Sequence, residues 1–298
     1  MGKQATVERN LFAPGHTACA GCGQSLAARL VLNAAGPNVI CTNATGCLEV
    51  FTTTFPYSAW EVPWVHSLFE NAAAMASGVA AALKALGREN EARVIAQAGD
   101  GGTGDIGLQS LSGAVERGDD FLYVCYDNEA YMNTGIQRSG LTPFSSSTTT
   151  SPSGEQSLGN PRPKKYLPDI IAAHRPPYVA TASVGYQRDL QRKVKKALEL
   201  RGPKYIQVHV PCPLGWRHDP ALTIQMAKLA VETGLYPLVE WENGDVVAVR
   251  KIKPKPVEEN LKPQGRFRHL FRAPGGKEAL AEIQRIADEN IRRYGLTE

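Results

Sequence analysis

Residues 94–138, VIAQAGDGGTGDIGLQSLSGAVERGDDFLYVCYDNEAYMNTGIQR, limit the fold more than any other part of the chain. Residues 94–98 form a short apolar run that enters Gly99-Asp100-Gly101-Gly102. A helical spacing follows (Ile106, Leu108, Leu111, Ala114, Val115), and then a second apolar run, 121–126, ends in Asp127-Asn128. Strand, glycine-rich turn, helix and strand make a βαβ unit, whose crossover is right-handed and whose ligands sit at the carboxyl ends of the strands. Asp100 and Asn128 close the two strands, so the crossover brings them together. A carboxylate and an amide oxygen suit Mg²⁺, which prefers oxygen ligands and keeps substrate phosphates in its shell. Glycines at 99, 101 and 102 let the backbone approach a phosphate, and the helix start adds its dipole. The pair reads as a diphosphate–Mg²⁺ clamp, although Gly-Asp-Gly by itself is also a common turn.

At 298 residues the chain can bury one large α/β core with extensions. No run approaches ~18 uninterrupted apolar residues, so no membrane span is expected, and Met1-Gly-Lys-Gln lacks the apolar region of a secretory signal. The cytoplasm is the expected compartment. A net charge of +4 is too small to argue for nucleic acid. It is unevenly spread, with eight Lys/Arg and two Glu between Arg250 and Arg272, which reads as a solvated face or a docking surface for an acidic partner.

Six cysteines in such a chain argue for metal or redox work rather than a disulfide framework. Cys41 and Cys125 lie inside apolar runs and read as inert core. Cys19 and Cys22 share a Gly-rich loop ahead of a helix expected near Gln24. Cys47 and Cys212 each follow an apolar strand-like run, in ATGC and HVPCPLGW. Zinc sites usually show paired Cys-x-x-Cys units or histidines, whereas cubane clusters accept four thiolates at variable spacing. A [4Fe–4S] cluster, zinc and structural thiols all remain open on spacing alone. Residues 139–165 are polar and aperiodic, and read as a lid or an interface; the Lys/Pro-rich stretch 253–276 reads as an arm that wraps a neighbour. His16 and His66 read as loop residues with ordinary hydrogen bonds.

Taken together, Cys-x-x-Cys-Gly, ATGC, GDG with Asn128, DNEAYMNTGIQ and HVPCPLGW resemble the β subunits of pyruvate:ferredoxin oxidoreductases, in the 2-oxoacid:ferredoxin oxidoreductase family. The resemblance covers about residues 12–218. It implies the diphosphate-binding half of the thiamine diphosphate fold, an α/β parallel sheet with helices on both faces, over residues 1–218. Residues 219–298 form a C-terminal extension. The implied reaction is reversible oxidative decarboxylation of pyruvate with coenzyme A, electrons leaving to ferredoxin; other 2-oxoacids (2-oxobutyrate, an aromatic 2-oxoacid) or oxalate are alternatives. The implied cofactors are thiamine diphosphate, Mg²⁺ on Asp100, Asn128 and the Ala130 carbonyl, and a [4Fe–4S] cluster on Cys19, Cys22, Cys47 and Cys212. Gln24, Cys47, Gly99, Gly101, Gly102, Tyr131 and Asn133 match cofactor-contacting positions, Asn133 also contacts the reacting centre, and Val50 matches an apolar wall of the substrate pocket. Gln24 departs from relatives that carry an acidic residue there. Such enzymes need a Glu from a pyrimidine-binding domain to activate the cofactor. This chain has room for one α/β domain, so an α subunit should supply that Glu, and a ferredoxin-like subunit and soluble ferredoxin should carry electrons onward. No nucleic acid or membrane partner is expected. A non-redox thiamine decarboxylase half would leave the four loop cysteines without work, and a zinc-stabilised assembly subunit would leave GDG…N without work.

Overall fold

The computed structural model describes residues 10–298. Eight strands form one sheet: β1 (Val39–Ala44), β2 (Trp64–Ser67), β3 (Arg93–Gly99), β4 (Leu122–Asp127), β5 (Tyr178–Ser183), β6 (Lys204–His209), β7 (Val239–Glu242) and β8 (Asp245–Val249). Their order is β8-β7-β5-β6-β4-β3-β1-β2. The first six are mutually parallel, while β7 and β8 add an antiparallel edge. The chain steps outward from β1 to β2, then crosses back to β3 and continues to β4. This reversal puts a topological switch point at the carboxyl ends of β1 and β3, the usual place for a ligand crevice.

Period-two side-chain alternation explains why the central strands read as unbroken apolar runs. On β4, Leu122, Val124 and Tyr126 pack into one core layer, and Tyr123 and Cys125 into the other. The first layer is covered by α1 (Gly23–Ala35), through Ala27, Ala28, Val31 and Leu32, and by the helix Gln187–Glu199, through Leu190, Val194 and Ala197. The second is covered by two further helices. One is Ala72–Ala85, whose alanines let it sit close to the sheet; the other is Leu108–Glu116, through Leu111, Ala114 and Val115. Cys41 and Cys125 are fully buried in these layers.

Two stretches that look irregular in sequence are packed on the domain. Within residues 139–165 several polar side chains point inward and satisfy loop backbone. Asn160 donates to the carbonyls of Thr142, Pro143 and Arg162 (2.8, 3.1 and 2.9 Å), and Ser139, Thr142, Ser145 and Ser146 are buried. The stretch 253–276 packs on its own chain. With the final helix Gly276–Tyr294 it builds a small core of its own from Val257, Leu261, Phe267, Leu270, Ala279, Ile283 and Ala287. Short 3₁₀ turns carry no sequence period, so this packing is invisible to pattern reading. The extension beyond residue 218 packs on the same domain, to whose sheet it adds β7 and β8.

The antiparallel edge is pinned by Glu240 of β7, which accepts from Tyr178 Oη (2.7 Å), Arg192 Nη2 (2.5 Å) and Lys196 Nζ (3.0 Å). Burial alone would raise its carboxyl; the hydrogen bonds from Arg192, Tyr178 and Lys196 outweigh burial and pull it down to about 2. A depressed folded value means stability that is present above the ordinary value of 4.5 and lost as pH falls toward 2. Glu240→Gln is therefore expected to cost about 2 kcal/mol at pH 7, the half-exposed Arg192 keeping the effect modest. Thermal melts should show the gap to the parent narrowing below pH 4.5. A gap independent of pH would assign the loss to packing instead.

Candidate functional site

The β3–β4 crossover positions the site. Asp100 follows Gly99 directly and is 1% exposed; its Oδ2 accepts from Ser139 Oγ. Asn128 follows Asp127 on the neighbouring strand. The atom of its amide that faces Asp100 Oδ1 (2.9 Å) and the Ala130 carbonyl (2.8 Å) meets only acceptors. With nitrogen in that place Asn128 donates to both. With oxygen there, three oxygens converge, an arrangement that a bound cation relieves. Burial pushes the Asp100 carboxyl well above the usual carboxylate range, Asp127 adds to this, and Ser139 opposes it. A dry carboxylate, an amide oxygen and a carbonyl fit a hard divalent cation.

Glycine is needed at 101 for a reason the sequence does not reveal. A Cβ there would lie 2.3 Å from the Tyr131 ring. Tyr131 Oη in turn donates to the Gly101 carbonyl (3.2 Å) and lies 3.3 Å from Asp105 Oδ2. The following residues Gly102–Ile106 form a π turn, held at its start by Thr103 Oγ1 donating to the Gly99 carbonyl (2.7 Å). A cleft of about 350 Å³ opens over these groups. It brings together Gln24, Cys47, Gly99, Asp100, Gly101, Gly102, Asn128, Ala130, Tyr131 and Asn133, all named from the sequence, and adds Thr45, Gly46, Phe69, Met132 and Thr134. Asn133 stands exposed at its edge. Val50 is not brought to the cleft: it sits on the short helix Cys47–Thr52, 47% exposed. His16 accepts from Ala18 N (3.4 Å), and His66 Nε2 lies 3.0 Å from Thr45 Oγ1, so both have ordinary loop partners.

The four loop cysteines come together beside this cleft. Cys22 caps α1, its Sγ accepting from Ser25 N (3.5 Å), and Cys212 caps the turn Pro213–Trp216 through Gly215 N (3.4 Å). Burial, with a smaller contribution from the other thiols of the set, raises the Cys47 thiol to about 12 and the Cys212 thiol to about 11. The loops dock backbone to backbone. Gly23 N donates to the Pro211 carbonyl (3.2 Å), Thr223 Oγ1 to the Gly21 carbonyl (2.7 Å), and a Cβ on Gly21 would lie 2.5 Å from the Pro220 oxygen. Among the described residues no three His, Cys, Asp or Glu side chains are gathered as around one small ion.

Pattern reading missed a buried ionic cluster directly behind the site. Lys164 Nζ bridges Asp127 Oδ2 (2.6 Å) and Glu129 Oε1 (2.8 Å), and Arg266 Nη2 pairs with Glu129 Oε2 (2.5 Å). The only hint was the pair of acidic residues flanking Asn128. Their cationic partners lie 35 and 137 residues away, in segments that look solvated.

Residues 44–208 match the family described as thiamine pyrophosphate enzyme, C-terminal TPP binding domain. Pyruvate synthase subunit PorB of Methanosarcina barkeri is 59% identical over 292 residues, spanning 98% of this chain and 99% of its own. The chain belongs to the 2-oxoacid:ferredoxin oxidoreductase family. Other similar members include PorB of Pyrococcus horikoshii (50% identical, 95% of this chain and 92% of that one) and the ketoisovalerate oxidoreductase subunit VorB of Pyrococcus abyssi (51%, 88% and 86%). A solved 2-oxoglutarate:ferredoxin oxidoreductase from Magnetococcus marinus, with 2-oxoglutarate, coenzyme A and succinyl-CoA bound, shares the fold. Its TM-score is 0.57 at 19% identity, covering 89% of this chain and 91% of that one. As a member of the family the chain is a subunit of an oxidoreductase acting on 2-oxoacids, and it carries that family's thiamine diphosphate-binding fold. No helix among the described residues is long and apolar enough to cross a membrane.

Proposed function

We propose that this chain is the catalytic subunit of a cytoplasmic pyruvate:ferredoxin oxidoreductase that forms acetyl-CoA and CO₂ from pyruvate and coenzyme A. The observation that carries the reading is the convergence of Asp100, Asn128 and the Ala130 carbonyl at neighbouring strand ends inside one cleft. Those three oxygens would hold Mg²⁺ against the cofactor diphosphate, with Gly99, Gly101 and Gly102 giving close backbone approach. Bound thiamine diphosphate supplies the carbanion chemistry that releases CO₂ from a 2-oxoacid. Gln24, Cys47 and Tyr131 line the cleft around it, and Asn133, exposed at its edge, would donate a hydrogen bond to substrate. Cys19, Cys22, Cys47 and Cys212 would hold a [4Fe–4S] cluster, and Cys47 belongs to both the cleft and the cysteine set, which gives electrons a short exit. An α subunit would complete the cleft with the activating Glu, and a ferredoxin-like subunit and soluble ferredoxin would take electrons onward. Pyruvate is favoured over a branched 2-oxoacid because the similarity to PorB reaches higher identity and coverage than that to VorB.

Iron, zinc and visible absorbance of the anaerobically purified complex test the metal assignment, alongside viologen reduction with pyruvate and with 2-oxoisovalerate. Cys47→Ser and Cys212→Ser should lose most of the iron and the broad visible band, whereas Cys41→Ser and Cys125→Ser should keep both. Iron retained in Cys212→Ser but lost in Cys125→Ser would show the ligand set to be wrong. Faster turnover of the branched acid would move the substrate assignment.

A further inference from the structure

Glu129 sits between two of the three converging oxygens, and its backbone is left-handed, with φ +70. A non-glycine residue in that region costs about 1–3 kcal/mol and persists only where its surroundings over-determine it. Here they do. Its amide donates to Asp127 Oδ1 (3.2 Å), and its carbonyl accepts from Thr142 Oγ1 (2.7 Å). Its carboxylate is gripped by Lys164 and Arg266, with His209 Nε2 at 3.7 Å. Burial alone would push this carboxyl up; Lys164 and Arg266 outweigh that and hold it well below the usual range.

The grip extends to Asn128 itself. The Arg266 guanidinium stacks on the Trp216 ring at 3.9 Å, and Trp216 Nε1 donates to the Asn128 carbonyl (2.8 Å). Arg266 is 4% exposed and is oriented by Gln264, which accepts from its Nε (2.8 Å). One arginine from the C-terminal extension thus holds residues 128 and 129 from two sides.

We propose that Arg266 is a positioning residue for the metal-binding strand end: together with Lys164 it keeps Glu129 left-handed, and that conformation aims the Asn128 side chain and the Ala130 carbonyl at Asp100. The inference rests on the reading of those three groups as a metal clamp. Were Glu129 to relax to an extended or right-handed backbone, the peptide that follows would turn and the Ala130 carbonyl would leave the shared point. The ordinary-looking basic stretch 250–272 then contributes to cofactor affinity from inside the same chain.

The test uses the assembled enzyme, stripped of metal and cofactor, then titrated with Mn²⁺ at saturating thiamine diphosphate while free Mn²⁺ is read by electron paramagnetic resonance. Arg266→Met should weaken Mn²⁺ binding about ten- to hundredfold, the range for outer-shell partners of metal ligands. In Glu129→Gly/Arg266→Met the affinity should return to within about threefold of the parent, because glycine adopts a positive φ without cost. Glu129→Ala/Arg266→Met removes the same charges but not the strain, and should stay weak. Comparing the two double variants decides the matter even if Arg266→Met alone does not fold. Parent-like affinity in Arg266→Met, or equal affinities in the two double variants, would overturn the proposal. Asp100→Asn is the control for the underlying reading: parent-like Mn²⁺ binding there sinks the clamp itself, whereas lost binding there with unaffected Arg266→Met sinks only the role of Arg266.

Discussion

Asp100→Ala is expected to abolish thiamine diphosphate retention by the purified complex while leaving the fold and the iron content in place. Of Asp100, Asn128 and the Ala130 carbonyl, only Asp100 is formally charged when ionised, and it is buried, where charge interactions are strong. Removing one partner of a buried charge pair costs about 3–5 kcal/mol, which is about 10²–10⁴-fold in affinity for the metal-bridged diphosphate. The cofactor-free chain should melt no lower than the parent, because Ala removes a buried carboxyl whose Oδ2 accepts a hydrogen bond from the neutral Ser139 Oγ. Cofactor content after gel filtration and iron per chain are the two readouts. Unchanged cofactor content would remove Asp100 from the clamp.

The isolated chain, cluster-replete and given thiamine diphosphate, Mg²⁺, coenzyme A and viologen, is expected to reduce viologen at least about 10³-fold more slowly than the assembled complex. General acid–base help from a positioned side chain is worth about 10²–10⁴-fold, and the described residues contain one large sheet, a two-stranded hairpin and no second α/β unit to present such a group. The surface around the cleft has the character of an incomplete boundary. In the segments flanking Cys47 and Phe69, which line the cleft, Val50 (47%), Phe55 (93%), Tyr57 (78%) and Leu68 (62%) stand exposed, apolar surface that a partner subunit would cover. Without that contact water enters the cleft and weakens every charge interaction in it. Val50, which does not line the cleft in this chain, would join it only through such a partner. Comparable turnover by chain and complex would show that the activating group lies within these residues.

How much of this the sequence makes legible depends on how local the cause is. The β3–β4 unit is readable because both strands are buried on two faces and end in glycine or polar residues, so apolar runs and their stops coincide with strand bounds. Trp64–Ser67 is not readable as a strand, because it is a half-exposed edge that follows a Pro- and aromatic-rich loop. The convergence of Asp100 with Asn128 follows from crossover handedness alone. Ser139, which holds Asp100 from 39 residues away, and Arg266, which holds Glu129 from 137, depend on packing that leaves no period in the chain. The cysteine set is legible as thiols at element ends, but the glycines that let those loops dock, Gly21 against Pro220 and Gly23 against Pro211, look like ordinary loop glycines until the backbones meet.

That docking has a consequence for biosynthesis. Gly21 receives its hydrogen bond from Thr223, 202 residues later. At about 5–20 residues per second, the ribosome needs roughly 10–40 s to deliver the second half of the contact after the first has been made. Throughout that interval Cys19 and Cys22 lack the surface that later shields Cys22, and the nascent thiols meet whatever oxidant surrounds them. The vulnerable moment in the life of this subunit is therefore its translation, and oxygen present during expression should do more damage than the same oxygen applied to the finished chain.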